Sequence, residues 1–161
     1  MSIVQNIMRS YRHPNLVLGG VAVSDAPEAR SLAYLMGGCA LAFVSQWPVV
    51  ARQAHIDGEE MNMLLAASLM GWLFIMPLIF YVLALLLTFA LKALGTKASA
   101  QAMRSGVFWS FFAASPLMLL YGLVAGFIGD GSAKQIVGFL WFAAFVIFVL
   151  AAVKAVRKGA R

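Results

Sequence analysis

The chain has 161 residues, of which 63% are hydrophobic and 11% charged, and its formal net charge is +6. A soluble domain carries roughly 25% charged residues, so this composition is too poor in charge to clothe a water-exposed surface and points to a chain that faces lipid. The positive balance, which in a soluble protein would suggest nucleic acid, reads here as basic flanks meeting anionic lipid headgroups.

Residues 2–12 predict an amphipathic helix. Ile3, Val4, Ile7, Met8 and Tyr11 recur at helical spacing, and Gln5, Asn6, Arg9, Ser10 and Arg12 take the other face. Too short to span, such a helix is expected to lie in the headgroup plane with its arginines on phosphates, and Pro14 to end it. Residues 16–23 form a second short apolar patch, re-entrant or on the surface. Ser24, Asp25, Ala26, Pro27 and Glu28 have the composition of a helix start. No cleavable signal peptide is expected, because the first long apolar run begins only near Leu32.

Four long apolar runs follow, at about 32–50, 64–91, 105–128 and 136–153. Each approaches the roughly 20 residues needed to cross a bilayer. Pro77 and Pro116 lie in the middle of the second and third, where they are expected to kink two neighbouring helices at similar depth, with Ala113, Ala114 and Ser115 letting the backbones approach. The fold expected is therefore all-α: a polytopic four-helix transmembrane bundle (31–153), preceded by a segment with an interfacial amphipathic helix (1–30) and followed by a basic tail (154–161).

Charge sets the expected topology. Arg9, Arg12 and Arg30 precede the first run; Lys92, Lys97 and Arg104 lie between the second and third; Lys154, Arg157, Lys158 and Arg161 follow the fourth. Basic segments stay cytoplasmic, so both termini are expected inside. The two other loops hold Arg52 with Asp57, Glu59 and Glu60, and Asp130 with Lys134. Arg9, Arg12, Lys154, Arg157, Lys158 and Arg161 are the candidate headgroup contacts. Trp47, Trp72, Trp109 and Trp141 are candidates for the aromatic belts at the membrane surfaces.

Little in the sequence suggests chemistry. No ionisable residue falls inside an apolar run, although ion-coupled carriers need one at depth. Gln46, Ser68, Thr88, Ser110 and Ser115 read as helix–helix hydrogen bonds. His55 with Asp57, Glu59 and Glu60 reads as a solvated loop, Gly129-Asp130-Gly131-Ser132 as a turn, and Cys39, beside Gly37 and Gly38, as a small packing residue. No catalytic, cofactor-binding or metal-binding residue is expected. The second and third runs echo each other: Trp72, Pro77-Leu78 and Tyr81 in one, Trp109, Pro116-Leu117 and Tyr121 in the other. Such pairs in inverted halves can mark a transport path.

Three segments carry a resemblance to a known family: Ser10-Tyr11-Arg12-His13-Pro14, Phe43-Val44-Ser45-Gln46-Trp47-Pro48, and the stretch from Ser115-Pro116-Leu117 through Tyr121-Gly122 to Gly126-Phe127-Ile128-Gly129. On these the chain resembles a small bacterial member of the YIP1 family of integral membrane proteins. The resemblance implies a fold and a location in the bacterial cytoplasmic (inner) membrane, and the missing catalytic motifs point to a non-enzymatic role. Eukaryotic relatives bind prenylated GTPases and shape curved membranes, with a longer cytoplasmic N-terminal region and usually five crossings. The expected function is a small scaffold or accessory protein working through lipid and helix–helix contacts. The alternatives are a small oligomeric transporter or channel with its path at Pro77 and Pro116, and an accessory subunit of a larger membrane complex.

Overall fold

A computed structural model of the chain describes residues 3–23 and 28–159. Among the described residues there are helices and turns and no strand. Two short helices, α1 (Ile3–Arg12) and α2 (Pro14–Val23), precede α3 (Glu28–Asp57). A continuous helical rod follows, made of α4 (Met61–Met70), one π-turn (Gly71–Ile75) and α5 (Met76–Ala93). The chain closes with α6 (Ala100–Phe127) and α7 (Ser132–Gly159). Four of these units, Glu28–Asp57, Met61–Ala93, Ala100–Phe127 and Ser132–Gly159, are long and apolar enough to cross a membrane. Each apolar run is thus present, but the helices outlast the runs at most ends. Polar residues outside an apolar layer can continue a helix as well as end it, so hydropathy marks the layer and not the helix.

Pro14 begins a helix where it was expected only to end one. Its fixed φ and missing N–H suit the first position of α2, and His13 alone separates α1 from α2. The expected helix start at Ser24, Asp25, Ala26 and Pro27 lies outside the described residues, as does Arg161; α3 is helical from Glu28. The α5–α6 connection shows local chemistry setting a stop. Gly95 takes φ +77°, Gly95 N–H donates to Lys92 O at 2.9 Å and Thr96 N–H to Leu91 O at 3.0 Å. This is the glycine-terminated cap that satisfies a helix's last carbonyls. Ser99 then caps α6, its hydroxyl accepting from Ala102 N–H.

The central helix is α6. Of its apolar stretch 56% is buried, against 17% for those of the α4–α5 rod and α7. Its longest seam is with α3. Glu28 pairs with Arg104 at 2.9 Å, and Ser31 and Ser105 share a hydrogen bond of 2.6 Å. Further along, Gly37 and Gly38 face Phe112 and Phe111, and Gly122 and Gly126 face Ser45 and Pro48. The pairs advance together along both helices, so α3 and α6 run parallel. Against the other sides of α6 lie α5, through Phe80–Phe111 and Tyr81–Phe108 ring contacts at 4.3 and 4.9 Å, and α7 and α2, through a cluster of Leu18, Trp109, Ala113, Ala114, Phe148, Ala151 and Ala152. Large apolar side chains such as Phe74, Leu78, Leu85, Phe89, Phe139 and Phe142 remain exposed on the outer helices.

The prolines fit this packing in different ways. The Phe80–Phe111 contact puts Pro77 and Pro116 at similar heights on antiparallel helices. Pro77 is the second residue of α5, one position past the π-turn, where the backbone departs from regular α geometry. Pro116 lies inside a continuous helix. Lacking an N–H, it leaves Phe112 O without its helical donor, and the Ser115 hydroxyl donates to that carbonyl at 2.7 Å. Ala113 and Ala114 open room for α2 and α7, not for the expected approach of α5, which meets α6 through aromatic rings. The polar residues of the apolar runs also act differently from expectation. Thr88 and Ser110 donate to carbonyls of their own helices, Ala84 O and Gly106 O. Gln46 reaches only the neighbouring Ser45, and the buried Ser68 hydroxyl has no partner.

Candidate functional site

The charges separate by end. At one end lie the starts of α3 and α6, the ends of α5 and α7, and the α1–α2 pair, with nine described cations: Arg9, Arg12, Arg30, Lys92, Lys97, Arg104, Lys154, Arg157 and Lys158. Glu28 is the described acid there, and it is paired with Arg104. The opposite end holds Asp57, Glu59, Glu60 and Asp130 with Arg52 and Lys134. There Arg52 donates to Gly126 O at the end of α6 at 3.4 Å, where a cation suits the carbonyl end of a helix. Lys134 pairs with Asp130, and that contact holds the Asp130 carboxyl below, and the Lys134 ammonium above, their ordinary values.

Among the described residues several concavities open at the basic end, and three of them are lined by more than one segment of the chain. The first, about 380 Å³, lies between the α1–α2 pair and the starts of α3 and α6. Arg9 and His13 line it from the N-terminal side, Arg30, Ser31 and Tyr34 from α3, and Ser105 from α6, with Leu16, Val17 and Val21 as an apolar wall. Ser31 and Ser105 are buried and hydrogen-bonded to each other. The second and third, about 560 and 750 Å³, flank the end of α7 and share Lys154 and Lys158. Lys97 and Arg157 join the one, Asn15, Gly19 and Gly20 the other. The structure thus brings the candidate cations Arg9, Lys154, Arg157 and Lys158 to grooves, together with His13, Arg30 and Lys97, which sequence reasoning did not single out as contacts. Arg12 is exposed beside Met8, Arg9 and Tyr11.

The α1–α2 pair is fastened to the bundle by Ser10 from the polar face of α1 and by Tyr11 from its apolar face. Ser10 is fully buried; its hydroxyl donates to Asn6 O at 2.9 Å and accepts the Trp109 indole N–H at 3.1 Å. The Tyr11 hydroxyl donates to Ala113 O at 3.0 Å, and its ring meets Phe148 edge-on at 5.1 Å. Burial pushes the Tyr11 phenol above its ordinary pKa, so it stays a donor. Ile3, Val4 and Met8 turn outward. This corrects the expectation for Trp109: with 1% exposure it is a core residue joining α1 to α6, not part of a lipid-facing belt. Trp47 is 50% exposed, while Trp72 and Trp141 are half-buried against the core. The Trp72 and Trp109 positions are accordingly not equivalent, which removes one element of the echo between the two helices.

Cys39 is buried in the main core, and no group of three or more His, Cys, Asp or Glu among the described residues could hold a metal ion. Comparison of the chain with protein-family models, with curated proteins and with solved structures gives no match.

Proposed function

We propose that the chain is a multi-pass protein of the bacterial cytoplasmic membrane, with both termini inside, and that it works as a small non-enzymatic scaffold or accessory protein of the YIP1-like type. The observation that carries this reading is the gathering of nine described cations at one end of a bundle whose outer helices expose Phe, Leu and Ile along their length. An apolar girdle with one basic rim suits a bilayer whose cytoplasmic leaflet is anionic, each basic side chain near that surface contributing about 1 kcal/mol. The three segments behind the family resemblance also lie on contact surfaces: Ser10 and Tyr11 on α6, Ser45 and Pro48 against Gly122 and Gly126.

Single-cysteine labelling in intact cells, in a Cys39→Ala background, tests the orientation. A thiol at Glu59 should react with an impermeant reagent, and thiols at Lys97 and Gly159 only after permeabilisation; the reverse pattern would sink the topology. Copurification in mild detergent tests the accessory role: a stoichiometric membrane partner is expected, and a lone chain under every mild condition argues against it. The packing gives the transport reading no support, since Ala113, Ala114 and Ser115 beside Pro116 are all buried.

A further inference from the structure

We infer that the groove between the α1–α2 pair and the starts of α3 and α6 is a binding site for one phosphate ester, the headgroup of an acidic phospholipid or a soluble ester of the same chemistry. The inference deepens the membrane reading above and, for the lipid as source, rests on it. Two guanidiniums, Arg9 and Arg30, and the His13 imidazole line one small concavity, and no carboxylate lines it among the described residues. Its floor supplies a further donor. In the Ser31–Ser105 pair one hydroxyl proton is used between the two oxygens; the second hydroxyl keeps a proton to give to an anion. Charge-assisted bonds from guanidinium to phosphate are the strong ones, and Arg offers them in pairs.

The shape agrees with that chemistry. At roughly 30 Å³ per water, a groove of about 380 Å³ has room for a headgroup and not for two acyl chains. Leu16, Val17 and Val21 offer an apolar wall where the glycerol and first methylenes of a lipid would rest. A zwitterionic headgroup carries its own ammonium, which would meet arginines and, among the described residues, no acid lining the groove, so the groove should prefer a lipid with net negative charge. Gly20 lines the same groove, and a Cβ there meets nothing within 4 Å. A Cβ at that position therefore has open space, and a larger side chain can be added there at the edge of the groove.

Isothermal titration of the full chain in detergent micelles tests this with three probes: short-chain phosphatidylglycerol, phosphatidylethanolamine of the same chain length, and glycerol 3-phosphate. Phosphatidylglycerol should bind at least about tenfold more tightly than phosphatidylethanolamine, the ratio expected for one charge-assisted contact. Arg30→Gln and Gly20→Leu should each weaken it by about tenfold, Arg30→Lys should restore part of the loss, and Lys92→Gln, at the same end but outside the groove, should change it less than about twofold. Glycerol 3-phosphate binding as tightly as the lipid, with the same response to Arg30→Gln, identifies a soluble ester as the source and would survive failure of the membrane topology; much weaker binding identifies the lipid. Unchanged affinity in both Arg30→Gln and Gly20→Leu overturns the site, as does equal binding of the two lipids. An equal loss in Lys92→Gln shows a diffuse basic surface in place of a site.

Discussion

The Trp109 indole N–H donates to the Ser10 hydroxyl, 99 residues away in sequence, and both side chains are essentially inaccessible. This bond makes the N-terminal helix part of the packed structure and not an independent surface anchor. In Ser10→Ala the indole N–H is left buried without a partner, a loss of about 1–3 kcal/mol. Trp109→Phe removes donor and need together but also shrinks the ring. Limited trypsinolysis in detergent checks this: cleavage after Arg9 and Arg12 should be several-fold faster in Ser10→Ala than in the parent chain.

The glycines of α6 should be intolerant in a position-specific way. A Cβ at Gly122 collides with the Ser45 carbonyl, and one at Gly126 with the Pro48 ring and backbone. Backbone cannot yield as a flexible side chain can, so Gly122→Ala and Gly126→Ala should each cost about 2 kcal/mol or more by forcing α3 away. At Gly19 a Cβ meets nothing, and Gly19→Ala should be neutral or gain up to about 1 kcal/mol from helix propensity. Thermal unfolding in detergent ranks the three.

Ser115 and Pro116 should behave as a coupled pair. Ser115→Ala strips Phe112 O of the hydroxyl that answers for the missing proline N–H, costing about 1–2 kcal/mol. In a Pro116→Ala background the backbone N–H can serve that carbonyl, so the same Ser115→Ala change should cost clearly less. A double-mutant cycle on thermal stability measures the difference, and equal costs would show that the hydroxyl is not compensating for the proline.

Much of this architecture is legible in the sequence, because the runs near 32–50, 64–91 and 136–153 each fall within one helix or helical rod, and 105–128 does so but for Ile128. What stays hidden are pairings between distant residues. An indole reads as a belt residue until Ser10 is known to lie beside Trp109. Arg30 reads as one more flanking charge until α1 and α2 fold over it. The Gly122–Gly126 spacing, four residues apart in an apolar helix, was an available signal for close helix approach.

The Asp130–Lys134 pair should matter little to stability despite its short contact, since Asp130 is largely open to solvent. Its carboxyl is held below its ordinary value by Lys134. Any contribution is therefore present above the usual carboxylate range and fades as pH falls through the lowered value. Lys134, raised by the same contact, loses its share only at alkaline pH. Asp130→Asn at neutral pH should shift the thermal midpoint by less than about 2 °C.

The parallel seam between α3 and α6 has a consequence in time. Ser31 and Ser105 are 74 residues apart; between them α3 leaves the basic end and the α4–α5 rod returns to it. During synthesis, the glycine-matched surface of α3 has no lasting occupant until α6 has emerged. The groove at the basic end cannot exist before then either, because Ser105 supplies part of its floor. Any chain stopped before α6 would hold α3 with its central face open, a state in which quality-control proteases or a wrong helix compete for the place that α6 takes.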